Sequence, residues 1–140
     1  MRPKLLGLAP FAVLMFVGLY ASVGRAELFV EHLDPPVLRT GHTTRVTVHG
    51  GELNNSIGLW TTLPGHEKYV NAKLISATPS LAVFDVTLSK EAQVGLHGLR
   101  LASRDGLSNV QLTLVDDLPL IARQAGEEPQ AIAWPVAAHG

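Results

Sequence analysis

The sequence predicts an all-β domain built as a sandwich of two antiparallel sheets. Short runs in which apolar and polar residues alternate show the period of two that half-buried strands have. Clusters of Gly, Pro, Asn and Asp separate these runs, and no run after residue 26 has the apolar spacing of an amphipathic helix. The chain contains no cysteine, so the domain must be held by its hydrophobic core alone.

The first 26 residues are predicted to be a secretory signal peptide. Arg2 and Lys4 form a basic start, 5–20 is an uncharged apolar run, and Gly24 and Ala26 place small residues before a cleavage point. The alternative is a transmembrane anchor, but the apolar run is shorter than the ~20 residues that a spanning helix needs. We therefore expect a secreted, periplasmic or cell-surface protein that meets the membrane only during export.

The charge balance argues against a nucleic-acid partner. The chain has 11 Lys and Arg against 12 Asp and Glu. Removal of Arg2, Lys4 and Arg25 with the signal leaves eight basic against twelve acidic residues, a net charge of about −4. A mildly acidic chain without basic clusters is a poor nucleic-acid binder. The lack of cysteine also excludes cysteine nucleophiles, thiolate metal sites and iron–sulfur clusters.

The first two strands are predicted both from the residues that end them and from the alternation of apolar and polar residues along them. The strand at 27–33 ends at Pro35-Pro36, and proline cannot donate to a ladder, which places this strand at a sheet edge where it can pass from one sheet to the other. The second, at 41–50, points Val46 and Val48 to one side, with polar residues on the other.

The middle of the chain is predicted to hold two strands. Residues 50–56 are rich in types that tolerate positive φ, so they are predicted to form a loop. Leu53 is expected to point inward from this loop. The strand at 57–63 carries Trp60, which we expect to be a core anchor. A turn at 64–66 leads to a weak strand at 69–75.

The last three strands have the clearest pattern. In strand 81–88, every apolar residue except Leu81 and Val83 lies on one face. In strand 95–101, His97, Leu99 and Leu101 lie on one face. Residues 89–94 can form one helical turn or a loop. An Asp-Gly turn at 104–106 is typical of a hairpin, and 111–115 is the final strand.

About seven short strands of this kind are typical of an immunoglobulin-like sandwich. We assign it to 27–115. Because the immunoglobulin cysteine pair is missing, Trp60 is expected to pack on aliphatic residues. Residues 116–140 are predicted to be a linker, followed by an apolar segment at 131–136 that either docks on the sandwich or begins a further domain.

Several motifs resemble the pattern of a known family. They are 41–50 with Leu53, 59–60 and 64–65, then 95–101 with 106–109, then 117–119 with 128–136. The chain resembles the Ig-like, IPT/TIG-type modules of exported proteins from planctomycete-type bacteria, which precede a pre-peptidase C-terminal domain. The resemblance covers most of 28–140 and departs from the pattern at Thr40, Thr61 and Gln130. It implies an exported multi-domain protein and supplies no catalytic residues.

The chain has six histidines, and histidine is the commonest metal ligand. His42 and His49 are an odd number of residues apart, which puts them on opposite faces of one strand. His66 begins a zinc-protease motif, but Val70 stands where its second histidine is needed. His32, His97 and His139 show no ligand spacing, so no metal site is predicted.

His97 has two interpretations. It can replace the tyrosine that bonds back to the backbone at this corner of related sandwiches, or it can be an ordinary half-buried histidine.

No other group of residues matches a known catalytic, calcium-binding or phosphate-binding motif. There is no Gly-x-Ser-x-Gly elbow, and calcium at 105–106 or 116–117 would lack the alternating oxygen ligands of a known loop. Gly50-Gly51 precedes no helix, so it is not a phosphate loop. The sequon at Asn54 marks an exposed loop. We therefore predict no catalytic, cofactor-binding or metal-binding residues and no enzyme.

The sequence is most consistent with a non-catalytic module that serves as a spacer, adhesion or protein-interaction element. Its expected partners are other domains or envelope proteins, contacted through sheet edges at the Pro35-Pro36 strand or at the last strand. One alternative is the accessory N-terminal region of an exported peptidase or other hydrolase. Another is a carbohydrate-binding module, with Trp60, Tyr69 and Trp134 as its aromatic residues.

Overall fold

The computed structural model describes residues 27–122 and 135–139. The predicted signal peptide, Trp134 and most of the 116–140 tail lie outside this range. The strands are β1 (Phe29–Asp34), β2 (Val37–Arg39), β3 (Thr43–Gly51), β4 (Ser56–Thr61), β5 (Val70–Ala77), β6 (Leu81–Leu88), β7 (Gly95–Ser103), β8 (Gly106–Leu107), β9 (Gln111–Asp116), β10 (Leu120–Ala122) and β11 (Ala137–His139). A 3-10 turn covers Leu53–Asn55, and one helical turn, α1, covers His66–Tyr69.

Two packed sheets confirm the all-β sandwich. One sheet has the strand order β1-β3-β6-β5, and all its neighbours are antiparallel. The other has the order β2-β9-β7-β4, with β8 pairing to β7. Four strands against three in this order is the arrangement of a constant-type immunoglobulin domain, with β2 added beside the last strand.

The N-terminal strand changes sheets where the sequence predicted. β1 lies at the edge of the four-stranded sheet, and β2, two residues later, lies in the other sheet. The peptide between Asp34 and Pro35 is cis. β2 runs parallel to β9 and covers it. The expectation that the last strand is an open edge is therefore wrong, because β9 lies between β2 and β7.

The core lies between the two inner faces. Phe84, Val86, Val46, Val48 and Leu101 are each at most 1% exposed. The predicted apolar faces of strands 41–50, 81–88 and 95–101 are thus confirmed. Leu53 is fully buried from the 3-10 turn, as its loop pattern indicated.

Trp60 is not a core residue, and that prediction was wrong. Its side chain is 40% exposed, whereas Thr61 beside it is 8% exposed. Thr61 can point inward because its hydroxyl oxygen accepts the Leu63 backbone N–H at 3.2 Å. Leu63, just after the strand, is buried and fills the core there.

Several boundaries differ from those predicted. The turn at 64–66 continues into α1, because Gly65 takes a left-handed conformation (φ 69°) that starts the helical turn. Residues 89–94 form a turn and no helix. The described parts of the tail, β10 and β11, pair in parallel as a separate two-stranded sheet. No described helix is long and apolar enough to cross a membrane.

Candidate functional site

Three adjacent strands of the five-stranded sheet each place one polar side chain in the core and a larger apolar neighbour in solvent. The inward residues are Thr61 (8% exposed), His97 (8%) and Thr113 (2%); the outward ones are Trp60 (40%), Leu96 (70%) and Leu112 (67%). A sheet with one solvated face normally shows the opposite alternation. The inversion exposes apolar surface that the fold does not use.

The inward polar residues are held by hydrogen bonds to the backbone. The Thr113 hydroxyl donates to the Pro36 carbonyl oxygen at 2.9 Å. This bond ties β9 to the segment between β1 and β2, where the chain changes sheets. A buried polar group with its partner in place costs little, whereas an unpaired one is destabilising. The inversion is therefore compatible with a stable core.

His97 is the corner residue that the sequence suggested. Its Nε2 donates to the Gln93 carbonyl oxygen at 2.9 Å, four residues upstream. The ring sits at the start of β7 and links the strand to the turn that precedes it. The corner geometry is thus confirmed, with imidazole in place of phenol.

The outward residues of β7 and β9 lie side by side. Leu96 pairs with Leu114 across the ladder, and Gly98 pairs with Leu112. The Val110 side chain packs against Gly98. A Cβ atom at Gly98 would lie only 2.9 Å from the Val110 Cγ2 atom. Glycine at this position therefore allows Val110 to lie flat on the sheet.

We call this surface the apolar face, defined by Trp60, Leu96, Val110, Leu112 and Leu114. Val110 is 48% exposed, and Leu114 is half-buried. With Leu96 and Leu112 they form one continuous stripe on the outer side of β7 and β9. Contiguous apolar patches of this kind on a monomer mark interaction sites.

Charged residues lie on the same outer surface, and Arg100 on β7 separates Trp60 from the rest of the apolar face. Arg100 pairs with Trp60 across β4 and β7. Arg39 pairs with Asp116 across β2 and β9. The Arg39 Nε atom is buried and has no hydrogen-bond partner among the described residues. A buried N–H without an acceptor is costly, and this one is shielded from solvent.

The outer face of the four-stranded sheet carries hydrogen-bonded polar pairs beside exposed apolar residues such as Leu81 and Ile75. Arg45 donates twice to the Asp85 carboxylate, at 2.8 and 3.0 Å. This hydrogen-bonded pair lowers the pKa of Asp85, chiefly through the Arg45 hydrogen bond. The hydroxyls of Thr43 and Thr87 bond to each other at 2.7 Å. The two outer faces of the sandwich therefore differ in character.

His32 and His49 stack on that outer face, with ring centroids 4.1 Å apart and planes tilted by 10°. The contact was not visible in the sequence, because it depends on the register of β1 with β3. Parallel rings direct their in-plane nitrogen lone pairs side by side, so they do not converge on one ion. His42 lies elsewhere, and its Nδ1 donates to the Thr40 carbonyl oxygen.

No described group of three or more His, Cys, Asp or Glu side chains could hold a metal ion. Asp105 lines an open depression with Glu27 and Glu52. The carboxylate of Asp116 accepts the Leu118 backbone N–H at 3.1 Å and ends the strand. The two positions considered for calcium thus lie in a surface depression and at a strand end.

The motif at 106–109 has a structural role. Asn109 accepts the Val30 N–H at 2.7 Å through Oδ1 and donates to the Val30 carbonyl oxygen at 2.8 Å through Nδ2. Gln111 donates to the same carbonyl oxygen at 2.7 Å. The Ser108 hydroxyl accepts the Leu101 N–H at 2.9 Å. The Asn109 and Gln111 side chains thus take the place of a neighbouring strand at Val30.

No protein-family model and no curated protein matches this chain. The resemblance to IPT/TIG-type modules, and the exported bacterial context it implies, therefore stay predictions.

Proposed function

We propose that this chain is a non-catalytic protein-interaction module of an exported or cell-envelope protein, acting as an adhesion or spacer element. The apolar face carries the proposal. Moving a large aliphatic side chain from water into an interface contributes roughly 1.5–3 kcal/mol, and the apolar face offers several such side chains on one rigid sheet. Export is supported by the basic, apolar and small-residue order of the first 26 residues.

The sheet edges are less suitable contact surfaces than the apolar face. β4 and β5 each carry a register shift, at Ile57 and at Ile75, and β1 has one at Glu31. β2 has only three residues. Bulges and short strands are devices that prevent another chain from extending a sheet. We therefore place partner binding on the apolar face.

A binding experiment with matched variants tests the proposal. The chain, purified after export, is immobilised and exposed to an envelope extract, beside Leu112→Asp and a control, Leu81→Asp. Leu81 is 38% exposed and lies in the four-stranded sheet. We expect Leu112→Asp to lose partners that the wild type and the control retain. Equal capture by all three proteins, or hydrolase activity of the purified chain, would contradict the proposal.

Two alternatives remain distinguishable. Carbohydrate binding gains support from the exposure of Trp60, whose indole lies 6.3 Å from the His66 ring at a tilt of 57°. A glycan array tests it, and loss of a signal in Trp60→Ala would favour it. An accessory role in a hydrolase predicts that a catalytic domain, when joined to this chain, depends on the apolar face for activity.

A further inference from the structure

We propose that Trp60 and Arg100 form a binding site for a carboxylated sugar, in which the indole ring stacks on the sugar and the guanidinium group binds its carboxylate. The site goes beyond the proposed function, because it assigns a small ligand to a part of the outer surface that Arg100 separates from Leu112. Trp60 and Arg100 are directly opposite each other on β4 and β7. Residues paired in this way face the same side of a sheet, with Cβ atoms roughly 4.5–5.5 Å apart, a separation that one sugar ring can span.

The indole ring of Trp60 is exposed and held in place. Its side chain is 40% exposed, and it contacts His66 of α1 with ring centroids 6.3 Å apart and planes tilted by 57°. A ring at this tilt leaves more of the indole face open than a stacked ring would. In the described part of the chain, the only cation over an aromatic ring is Lys68, above Tyr69. Arg100 therefore does not cover the indole, whose electron-rich face can accept the C–H groups of a sugar.

The guanidinium group of Arg100 has no acidic partner among the described residues. Their one ion pair joins Arg45 to Asp85 on the other sheet. Arg100 is half-buried, but its nitrogen atoms are not among the buried polar atoms that lack a hydrogen bond, so they are open to solvent. Arginine binds a carboxylate through two parallel N–H bonds. Charge complementarity therefore favours an anionic ligand beside the indole.

The surface next to the pair leaves room for a ligand on one side. Gly58 lies two residues before Trp60 on the same face of β4, and a Cβ atom at Gly58 would meet nothing within 4 Å. The other side is filled, because a Cβ atom at Gly98 would lie 3.2 Å from the Thr62 Cγ2 atom. The ligand should therefore lie flat over Gly58, where no side chain stands.

A saccharide fits this place better than an acidic peptide. β4 is an edge strand, where a peptide would add to the sheet through backbone hydrogen bonds. The register shift between Ser56 and Gly58 interrupts the ladder beside the site, and bulges of this kind prevent another strand from pairing. A sugar ring needs only a flat aromatic face and a donor for its carboxylate.

Titration with trigalacturonate, a sugar trimer with three carboxylates, tests the site on the full chain. Calorimetry should give saturable binding with a dissociation constant below about 1 mM. The fully methyl-esterified trimer, which is neutral, should bind at least about tenfold more weakly, because it lacks the charge-assisted hydrogen bonds. Arg100→Gln should cause a similar loss. Arg100→Lys should recover only part of it, because lysine keeps the charge without the planar fork.

Two further variants test the stacking and the location of the site. Trp60→Leu keeps apolar bulk but removes the aromatic face, so it should weaken binding at least about threefold. Leu112→Asp should leave the dissociation constant unchanged, because Leu112 lies on β9, beyond Arg100. Circular dichroism and urea unfolding verify that each variant is folded.

Three results would overturn the sugar site: equal affinity for the esterified trimer, unchanged binding by Arg100→Gln, or no saturation up to about 10 mM. Triglutamate binding as tightly as trigalacturonate would also overturn it, since the ligand would then be an acidic peptide. If the sugar does not bind while Leu112→Asp still abolishes capture of envelope proteins, only the sugar site is wrong. If the sugar binds as expected while Leu112→Asp captures as much as the wild type, only the proposed function is wrong.

Discussion

Replacing Asn109 and Gln111 by alanine, singly and together, tests how β1 is fastened to the rest of the sandwich. Val30 is only 2% exposed, and its N–H and carbonyl groups are bound by these two side chains. Asn109→Ala leaves a buried N–H without its partner. Gln111→Ala removes one of two donors from a carbonyl that Asn109 still satisfies.

The expected costs follow from this unequal sharing. Leaving a buried backbone donor unpaired costs about 1–3 kcal/mol, whereas losing one net hydrogen bond costs about 0.5–1.5 kcal/mol. In the double variant, the Val30 carbonyl loses both donors. The double variant should therefore be destabilised by more than the sum of the single variants, with a coupling of roughly 1 kcal/mol.

Urea unfolding at equilibrium measures these differences. Each kcal/mol should also lower the melting temperature by about 4–8 °C in a domain of this size. Asn71→Ala is the control, because Asn71 is exposed on the edge strand β5. A change below about 0.5 kcal/mol for Asn109→Ala, or strict additivity in the double variant, would refute the proposed fastening.

Three further outcomes are expected. His97→Ala should lower the unfolding free energy by about 1–3 kcal/mol, since it removes a buried side chain and its hydrogen bond; a change typical of surface sites would reject the corner role. Leu101→Ala should cost about 2–5 kcal/mol and Leu96→Ala less than about 0.5, measured by urea unfolding, since only the first leaves a cavity; equal costs would contradict the assigned faces. Because Arg45 lowers the pKa of Asp85 in the folded state, this pair stabilises the fold at neutral pH, and its contribution disappears as the pH falls through the folded pKa. The stability difference between wild type and Asp85→Asn should therefore shrink on acidification from about pH 7 to about pH 2 and in high salt; a difference constant with pH would contradict the pairing.

Most strands could be predicted from the sequence, because the alternation of apolar and polar residues is a local pattern. Alternation identified the inner faces around Val46, Phe84 and Leu101, and proline marked the change of sheet after β1. The short β2 was not predicted, since three residues are too few to show a period. Its pairing with β9 depends on residues far apart in the chain.

The apolar face was missed at β4 and β9, where both faces carry apolar residues and alternation does not say which face is buried. Hydrophobicity assigned Trp60 to the core, but the hydrogen bond from Leu63 to Thr61 allows the smaller polar residue to point inward. The same reversal occurs at Thr113, whose partner Pro36 is distant in sequence. Such long-range partners are not visible in a single sequence.

Thiol labelling at adjacent positions of β9 tests the inverted alternation most directly. In this cysteine-free chain, Leu112→Cys and Thr113→Cys each give one reactive group. Leu112→Cys should react within about tenfold of a free model thiol, because its side chain faces solvent. Thr113→Cys should react at least about a hundredfold more slowly, because labelling requires the sheet to open. Equal rates, or faster labelling at position 113, would contradict the outward placement of the apolar face.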